Sequence, residues 1–176
     1  MISIILVKKL NNPPEIYGTV LAGVKAGMGG ITWPFWHVLW TFGGDILDEN
    51  FKPVLNSTAG VEALTYYLEL FKYASPDSPS FGQEQLMAMF QTRKSAMHFE
   101  YADNFMFLYN PETSKVSIEE IGVAPFPMKV RRAGIPSMWG WGINRDTPYK
   151  KEAITYIQWL MNKRIYPKFV ETIGVC

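Results

Sequence analysis

Apolar residues along the chain follow two rhythms, one with a period of two residues and one recurring every third or fourth. IYGTVLAG (16–23) and KSAMHFEY (94–101) follow the first and predict strands. IEEIGVAPFP (118–127) predicts a strand stopped by proline, and PSMWGWGIN (136–144) predicts another. ISIILV (2–7) is short and β-branched and fits either a strand or the end of a helix; NNPP (11–14) breaks it. The helical rhythm begins at WPFWHVLWTF (33–42), with Pro34 at the first helical position and Trp33, Trp36 and Trp40 recurring along it. Gly43 and Gly44 stop that helix.

Ser57 or Thr58 caps a helix running to about Lys72, with Val61, Leu64, Leu68 and Phe71 as its apolar stripe. GQEQLMAMFQT (82–92) is a further amphipathic helix, and ADNFMFLYN (102–110) starts another. Thr147 caps a helix with Pro148 at its first position and Ile154, Ile157 and Leu160 turned inward; a last helix covers about 163–172. Between these lie a glycine loop (27–30), a hairpin (45–57) turning near Asp48, Glu49 and Asn50, a loop (73–80) and a basic connector (128–136). Strands alternating with helices predict an α/β fold.

Composition narrows the function. The 176 residues are 48% hydrophobic, so a substantial core can form. Seventeen basic and sixteen acidic residues leave a net charge of +1, which argues against a nucleic-acid binder and gives no reason to expect an anionic membrane partner. Aromatic residues reach 15%, a surplus of the kind that serves binding surfaces. Cys176 is the single cysteine, and His37 and His98 are the only histidines, so no metal spacing arises. MISIILVKKL places its lysines after a brief apolar run, the reverse of a secretory signal. Both ends look abrupt, which suggests a fragment.

Several stretches then acquire a common meaning. YGTVLAG (17–23), FGGDILDENFKPVLNSTAGVEAL (42–64), MAMFQTRKSAMHFEYADNF (87–105), IGVAPFP (121–127), WGWGIN (139–144) and KKEAITYIQWLMNK (150–163) occur in an order that resembles the extracellular solute-binding proteins of ABC transporters. The likeness is to the sugar-binding group similar to maltose-binding protein, and it covers nearly the whole chain from about residue 15. That group commonly shows GGWGLAI where this chain has MWGWGIN; Trp139 stands in place of the first glycine. The resemblance implies a periplasmic-binding-protein-like type II fold, mostly its second lobe with a piece of the first. Residues 1–14 would be an N-terminal extension or the remnant of a preceding helix, and 15–125 the second-lobe α/β domain. Residues 126–176 would contain the lobe crossing, a first-lobe strand and helix, and the C-terminal helix.

A sugar ring has an apolar C–H face and a rim of hydroxyls, so its site needs aromatic rings beside a few polar groups. Trp33, at a loop-to-helix junction where the family has a cleft aromatic, and Trp36, three residues on, are candidates for stacking. EYAD (100–103) follows a strand directly; Tyr101 occupies the family's usual aromatic position, while Glu100 and Asp103 can bond hydroxyls. Asp103 is equally suited to capping the next helix. Trp139, Gly140 and Trp141 would come from the other lobe, the glycine permitting close backbone approach. For each tryptophan the competing role is core packing, above all for Trp36 and Trp40.

The resemblance thus implies a carbohydrate-binding component of an ABC importer, holding a mono- or oligosaccharide between two lobes without chemistry or cofactor. Its partner would be the membrane permease. It would act in the periplasm or outside the cell, lipid-anchored in full-length form; a chain with half a cleft would bind weakly or not at all, and its uncovered apolar surface would offer a route to self-association. Two other readings stay open: a glycan-acting enzyme using two of Asp45, Asp48, Glu100 and Asp103, or a protein-interaction module.

Overall fold

The computed structural model describes residues 2–26, 30–99, 102–108, 110–135 and 140–173. The chain divides into two compact units, one formed by 1–100 with 108–135 and the other by 101–107 with 136–176. Glu100, Tyr101 and Trp139 lie outside the described residues.

The larger unit is organised around a pair of helices. Helix α1 is Ile2–Leu10 and α2 is Thr32–Thr41. Helix α3 is Thr58–Phe71 and α4 is Gln83–Gln91. The open reading at 2–7 therefore resolves as a helix. Pro34 falls at the third position of α2 rather than the first, where its missing N–H still costs nothing because the first four helical N–H groups lack intrahelical acceptors. At the other end, the Gly43 N–H donates to Trp40 O at 3.0 Å and the Gly44 N–H to Leu39 O at 3.0 Å. Gly43 has φ +82, so the double-glycine stop is a Schellman termination with glycine in the left-handed position.

Helices α2 and α3 pack directly against each other. Val38, Leu39 and Phe42 meet Ala63, Tyr67 and Leu70 in one cluster that also takes in Val7 and Leu21. Burying each large aliphatic side chain contributes about 1.5–3 kcal/mol. The Tyr67 hydroxyl donates to Ala22 O at 2.9 Å deep in this cluster. Burial pushes the Tyr67 phenol well above its usual range, so it stays a neutral donor.

Ser57 caps α3, its hydroxyl accepting from the Gly60 N–H at 3.2 Å. The expected apolar stripe is corrected here. Val61, Leu64 and Leu68 are exposed, Val61 by 57%, while Gly60, Ala63, Tyr67 and Leu70 face inward and Phe71 packs at the cluster's margin. Both sets fit a period of 3.6, and contact with α2 selected the set with small residues at Gly60 and Ala63, which lets the neighbouring chain come close.

The segment 16–23 runs extended between two cores: Leu21 enters the main cluster, while Val20 and Ala22 join Leu86 in a second. That is the alternation of a strand buried on both faces. Its pairing with 94–99 is parallel but sparse, through bridges Tyr17–Ser95 and Val20–His98. Among the described residues the sheet content is confined to isolated bridges, so the unit is mostly helical with little strand. The 45–57 hairpin is present, with an antiparallel bridge Leu47–Pro53 and the Asp48 carboxylate accepting from the Asn50 and Lys52 N–H groups. The expected strand at 118–127 is not observed. Ile118–Glu120 forms a short 3-10 turn, and the following residues run on without ladder partners among the described residues, as prolines at 125 and 127 lack donors. Phe126 instead packs its ring on His37 (5.2 Å) and Phe99 (4.8 Å).

In the smaller unit, Ala102–Leu108 forms a 3-10 turn whose last residue belongs to the larger unit. Helix α5 is Lys150–Leu160 and α6 is Tyr166–Ile173. Thr147 does not cap α5; its hydroxyl accepts from the Tyr149 N–H at 3.2 Å in a local turn, and the helix starts two residues later than expected. Leu160 is buried and Ile157 half-buried, but Ile154 is exposed. Residues 140–144 are exposed and not in a strand, contrary to the alternation of MWGWGIN, where glycines leave no side-chain surface to hold a pairing.

Three stability consequences follow from this packing. Gly60→Ala normally favours a helix by about 1 kcal/mol, but here the new Cβ would lie 1.9 Å from Leu55 O. The variant should therefore melt below the parent in a thermal scan. Tyr67→Phe leaves the Ala22 carbonyl buried without its donor and should cost about 1–3 kcal/mol by denaturant titration. Burial lowers the His37 pKa from its ordinary value, so the unfolded chain binds more protons below about pH 6.5 and stability falls as pH drops through that window. Replacing His37 by Gln should flatten the decline in melting temperature between about pH 7 and pH 5.

Candidate functional site

Helix α2 sets the site's geometry. At 100° per residue, Val38, Leu39 and Thr41, the buried residues of α2, centre on a direction roughly 180° from the centre of Trp33, Trp36 and Trp40. The three indoles therefore line the helix face turned away from the main cluster. Each is half-buried. Trp33 and Trp36 have ring centroids 5.9 Å apart and planes inclined by 46°; Trp36 and Trp40 are 6.2 Å apart and inclined by 35°. The result is a ladder of three flat rings climbing one side of a helix.

Asp45 closes the upper end of the ladder. Its Oδ1 accepts from Trp40 Nε1 at 3.2 Å and from the Ile46 N–H at 2.9 Å, which orients the carboxylate beside the last ring. The connector after Phe126 secures the same end. The N–H groups of Lys129, Val130 and Arg131 converge on Thr41 O, and Arg131 Nε donates to Trp40 O at 2.9 Å. A cation at a helix C-terminus is favourable in charge as well as in hydrogen bonding. Lys129 pairs with Glu62 at 2.5 Å and lies 4.9 Å from the centre of the Phe42 ring. At the flank of the ladder, His37 has a buried Nδ1 without a hydrogen-bond partner.

Trp33 and Trp36 are thus brought together as rings in contact. Trp40 and Asp45 join them. The signal for Trp40 was present in its seven-residue offset from Trp33, and that for Asp45 in its place immediately after the double glycine. Of Asp103 the structure describes only the backbone, within the 3-10 turn. Asp48 is occupied by its own turn, accepting two N–H groups.

In the smaller unit, Gly140 is exposed, and a Cβ added there would meet nothing within 4 Å. Trp141 is 58% exposed and sets its ring edge-on to Tyr156 at 6.5 Å; Tyr156 in turn lies 5.9 Å from Trp159. A shallow hollow of about 530 Å³ runs along Lys151, Glu152, Thr155, Tyr156 and Trp159. Among the described residues no three His, Cys, Asp or Glu side chains are grouped to hold a metal ion, and no helix is long and apolar enough to cross a membrane.

Known proteins resemble this chain over most of its length. The model of the bacterial extracellular solute-binding protein family matches residues 4–165. A mannitol-binding protein from Pseudomonas aeruginosa is 28% identical over 137 residues, which cover 77% of this chain and 31% of that protein. The ribitol complex of an ABC transporter solute-binding protein from Agrobacterium radiobacter K84 superimposes with a TM-score of 0.79 at 30% identity, over 98% of this chain and 44% of the other. Maltose-bound MalE3 of T. maritima gives a TM-score of 0.72 at 28% identity, over 89% of this chain and 46% of the other. The chain thus spans between about a third and a half of the length of these relatives. Its ordered motifs, its helix pair and the family match together mean that the chain belongs to the bacterial extracellular solute-binding proteins.

Proposed function

We propose that this chain is the solute-recognising part of an ABC importer's receptor, with a sugar or polyol as its ligand. The observation that carries the reading is the position of Trp33 and Trp36: paired rings on the side of α2 that turns away from the core, in a chain of this family. Relatives described as binding ribitol, mannitol and maltose support the ligand class. Ring faces cover the C–H surface of a sugar, and nearby carboxylates and amides bond its hydroxyls. Capture of this kind requires no bond to be made or broken.

In this reading residues 15–125 form most of the second lobe, and 126–176 contain the crossing and a part of the first. Glu100, Tyr101 and Asp103 contribute from the second lobe, and Trp139, Gly140 and Trp141 from the first. Closure of two lobes on the ligand makes the liganded form recognisable to a permease. The receptor works outside the cytoplasmic membrane, held there by a lipid anchor in its full-length form.

The indole N–H signals of a ¹⁵N-labelled sample test this directly. With D-mannitol or maltose added, the Trp33 and Trp36 signals should move saturably, with dissociation constants on the order of millimolar or weaker, since one jaw encloses little of a ligand. Trp33→Ala should abolish the response of the remaining Trp36 signal. Silence of both indoles would overturn the proposed ligand contacts. Submicromolar affinity would overturn the division of the site between two lobes.

A further inference from the structure

We propose that His37 and Phe126 form a proton-operated latch: their paired rings hold residues 122–128 against α2 at neutral pH, and protonation of His37 releases them. The latch goes beyond the ligand reading above and does not depend on it.

Three observations carry it. First, one ring anchors the segment. Among the described residues no hydrogen bond involves 122–128, and Pro125 and Pro127 have no N–H to offer. Hydrogen bonds resume on either side, from the Ile121 N–H to Ile118 O and from the Lys129 N–H to Thr41 O. Val123 is 74% exposed and Met128 is exposed, whereas Phe126 packs at the margin of the main cluster, 5.2 Å from His37 and 4.8 Å from Phe99. Second, the latched arrangement suits only a neutral His37. Its Nδ1 is buried without a hydrogen-bond partner. An imidazolium carries an N–H on both nitrogens, so a proton taken up there leaves a buried donor with no acceptor and a charge held out of water. Attraction of the cation to the Phe126 ring supplies neither an acceptor nor hydration. Third, the charged groups on the surrounding elements are engaged elsewhere. On the connector, Lys129 binds Glu62 of α3, Arg131 donates to Trp40 O and Gly44 O, and Arg132 is exposed; all three are cations and oppose a further positive charge. Glu69 of α3 pairs with Lys72, Asp45 accepts from Trp40 Nε1 and the Ile46 N–H, and Lys94 reaches Pro14 O and Glu15 O. His98 sets its ring 5.8 Å from Phe90, and Glu100 lies outside the described residues. Burial is accordingly the cause that lowers the His37 pKa.

Linkage sets the pH window. Released, His37 titrates near its ordinary value of about 6.5; latched, it titrates below that. The open form therefore binds more protons as pH falls through about 6.5, and the ratio of open to latched chains rises by up to about tenfold per pH unit until the latched ring titrates as well. The opening is local. Thr41 O keeps the Lys129, Val130 and Arg131 N–H groups, and the buried residues of the main cluster include none that titrates near neutral pH. His37 lies about 60° around α2 from the centre of the three tryptophans, so release uncovers the flank of that face.

The test is an NMR titration of the full chain between about pH 7.5 and pH 5, without added ligand. At the upper end, nuclear Overhauser effects should connect the Phe126 ring to those of His37 and Phe99. At the lower end they should fade, and the order parameters of the Gly122, Val123 and Ala124 amides should fall below about 0.6, while the Leu39 and Leu70 amide shifts hold. The midpoint of that change should coincide with the titration of the His37 ring protons. His37→Phe keeps an aromatic ring that takes no proton and should stay latched throughout. Phe126→Ala should show the low order parameters at both ends, with the His37 pKa returned to about 6.5. Melting curves at both pH values verify folding, and the titration of the parent chain decides the matter where a variant fails to fold. Unchanged order parameters once His37 is protonated, or the same fall in His37→Phe, would overturn the latch. So would a loss that spreads to the α2 and α3 core amides, since the opening would then be global. None of these outcomes bears on the ligand response of Trp33 and Trp36.

Discussion

Contact between α2 and α3 governs the architecture of the larger unit. Val38, Leu39 and Phe42 on one side and Ala63, Tyr67 and Leu70 on the other form a single buried cluster, joined by Leu21 from the extended segment and Val7 from α1. Once α2 is committed to that contact, its opposite face has only one content available, the three tryptophans. The surface that recognises ligand in our reading is thus a geometric consequence of the core. Tyr67 ties the two together: its ring packs against Phe35 of α2 and Phe71 of α3, and its hydroxyl reaches the Ala22 carbonyl of the extended segment.

The C-terminal end of α2 is a second organising point. Three backbone N–H groups and one guanidinium converge on its last carbonyls, bringing residues 129–131 back against a helix about ninety positions earlier. Helix ends leave carbonyls without intrahelical donors, and this end satisfies them with both a glycine termination and the returning connector. The basic cluster at 129–132, part of the basic connector seen in the sequence, is in part structural. Lys129 binds Glu62 and covers Phe42, while Arg131 caps α2.

The smaller unit is held less densely. Leu160 is its single fully buried side chain among the described residues, and Trp141, Tyr156 and Trp159 form an aromatic cluster more than half exposed to solvent. Glycines on both sides of Trp141 leave the backbone there without flanking side chains.

What could be read directly from the amino-acid order was local. Ser57 as a cap, the double glycine as a stop, the Asp48 turn and the alternation of 16–23 are each determined by a few neighbouring residues and their backbone preferences. The family resemblance was likewise legible because motif order survives where contacts cannot be seen. Of the candidate site, Trp33 and Trp36 were legible as a helical pair. Tertiary contacts decided the rest. Val61, Leu64 and Leu68 keep a perfect helical period yet face solvent, because periodicity defines a stripe but only a packing partner decides which of two stripes is buried. Residues 118–127 and 140–144 have strand-like patterns but form no ladder among the described residues, because a strand exists only with another strand beside it. The addition of Trp40 and Asp45 to the ladder belongs to the same class: it depends on how α2 is rotated about its axis, which α3 imposes from outside the segment.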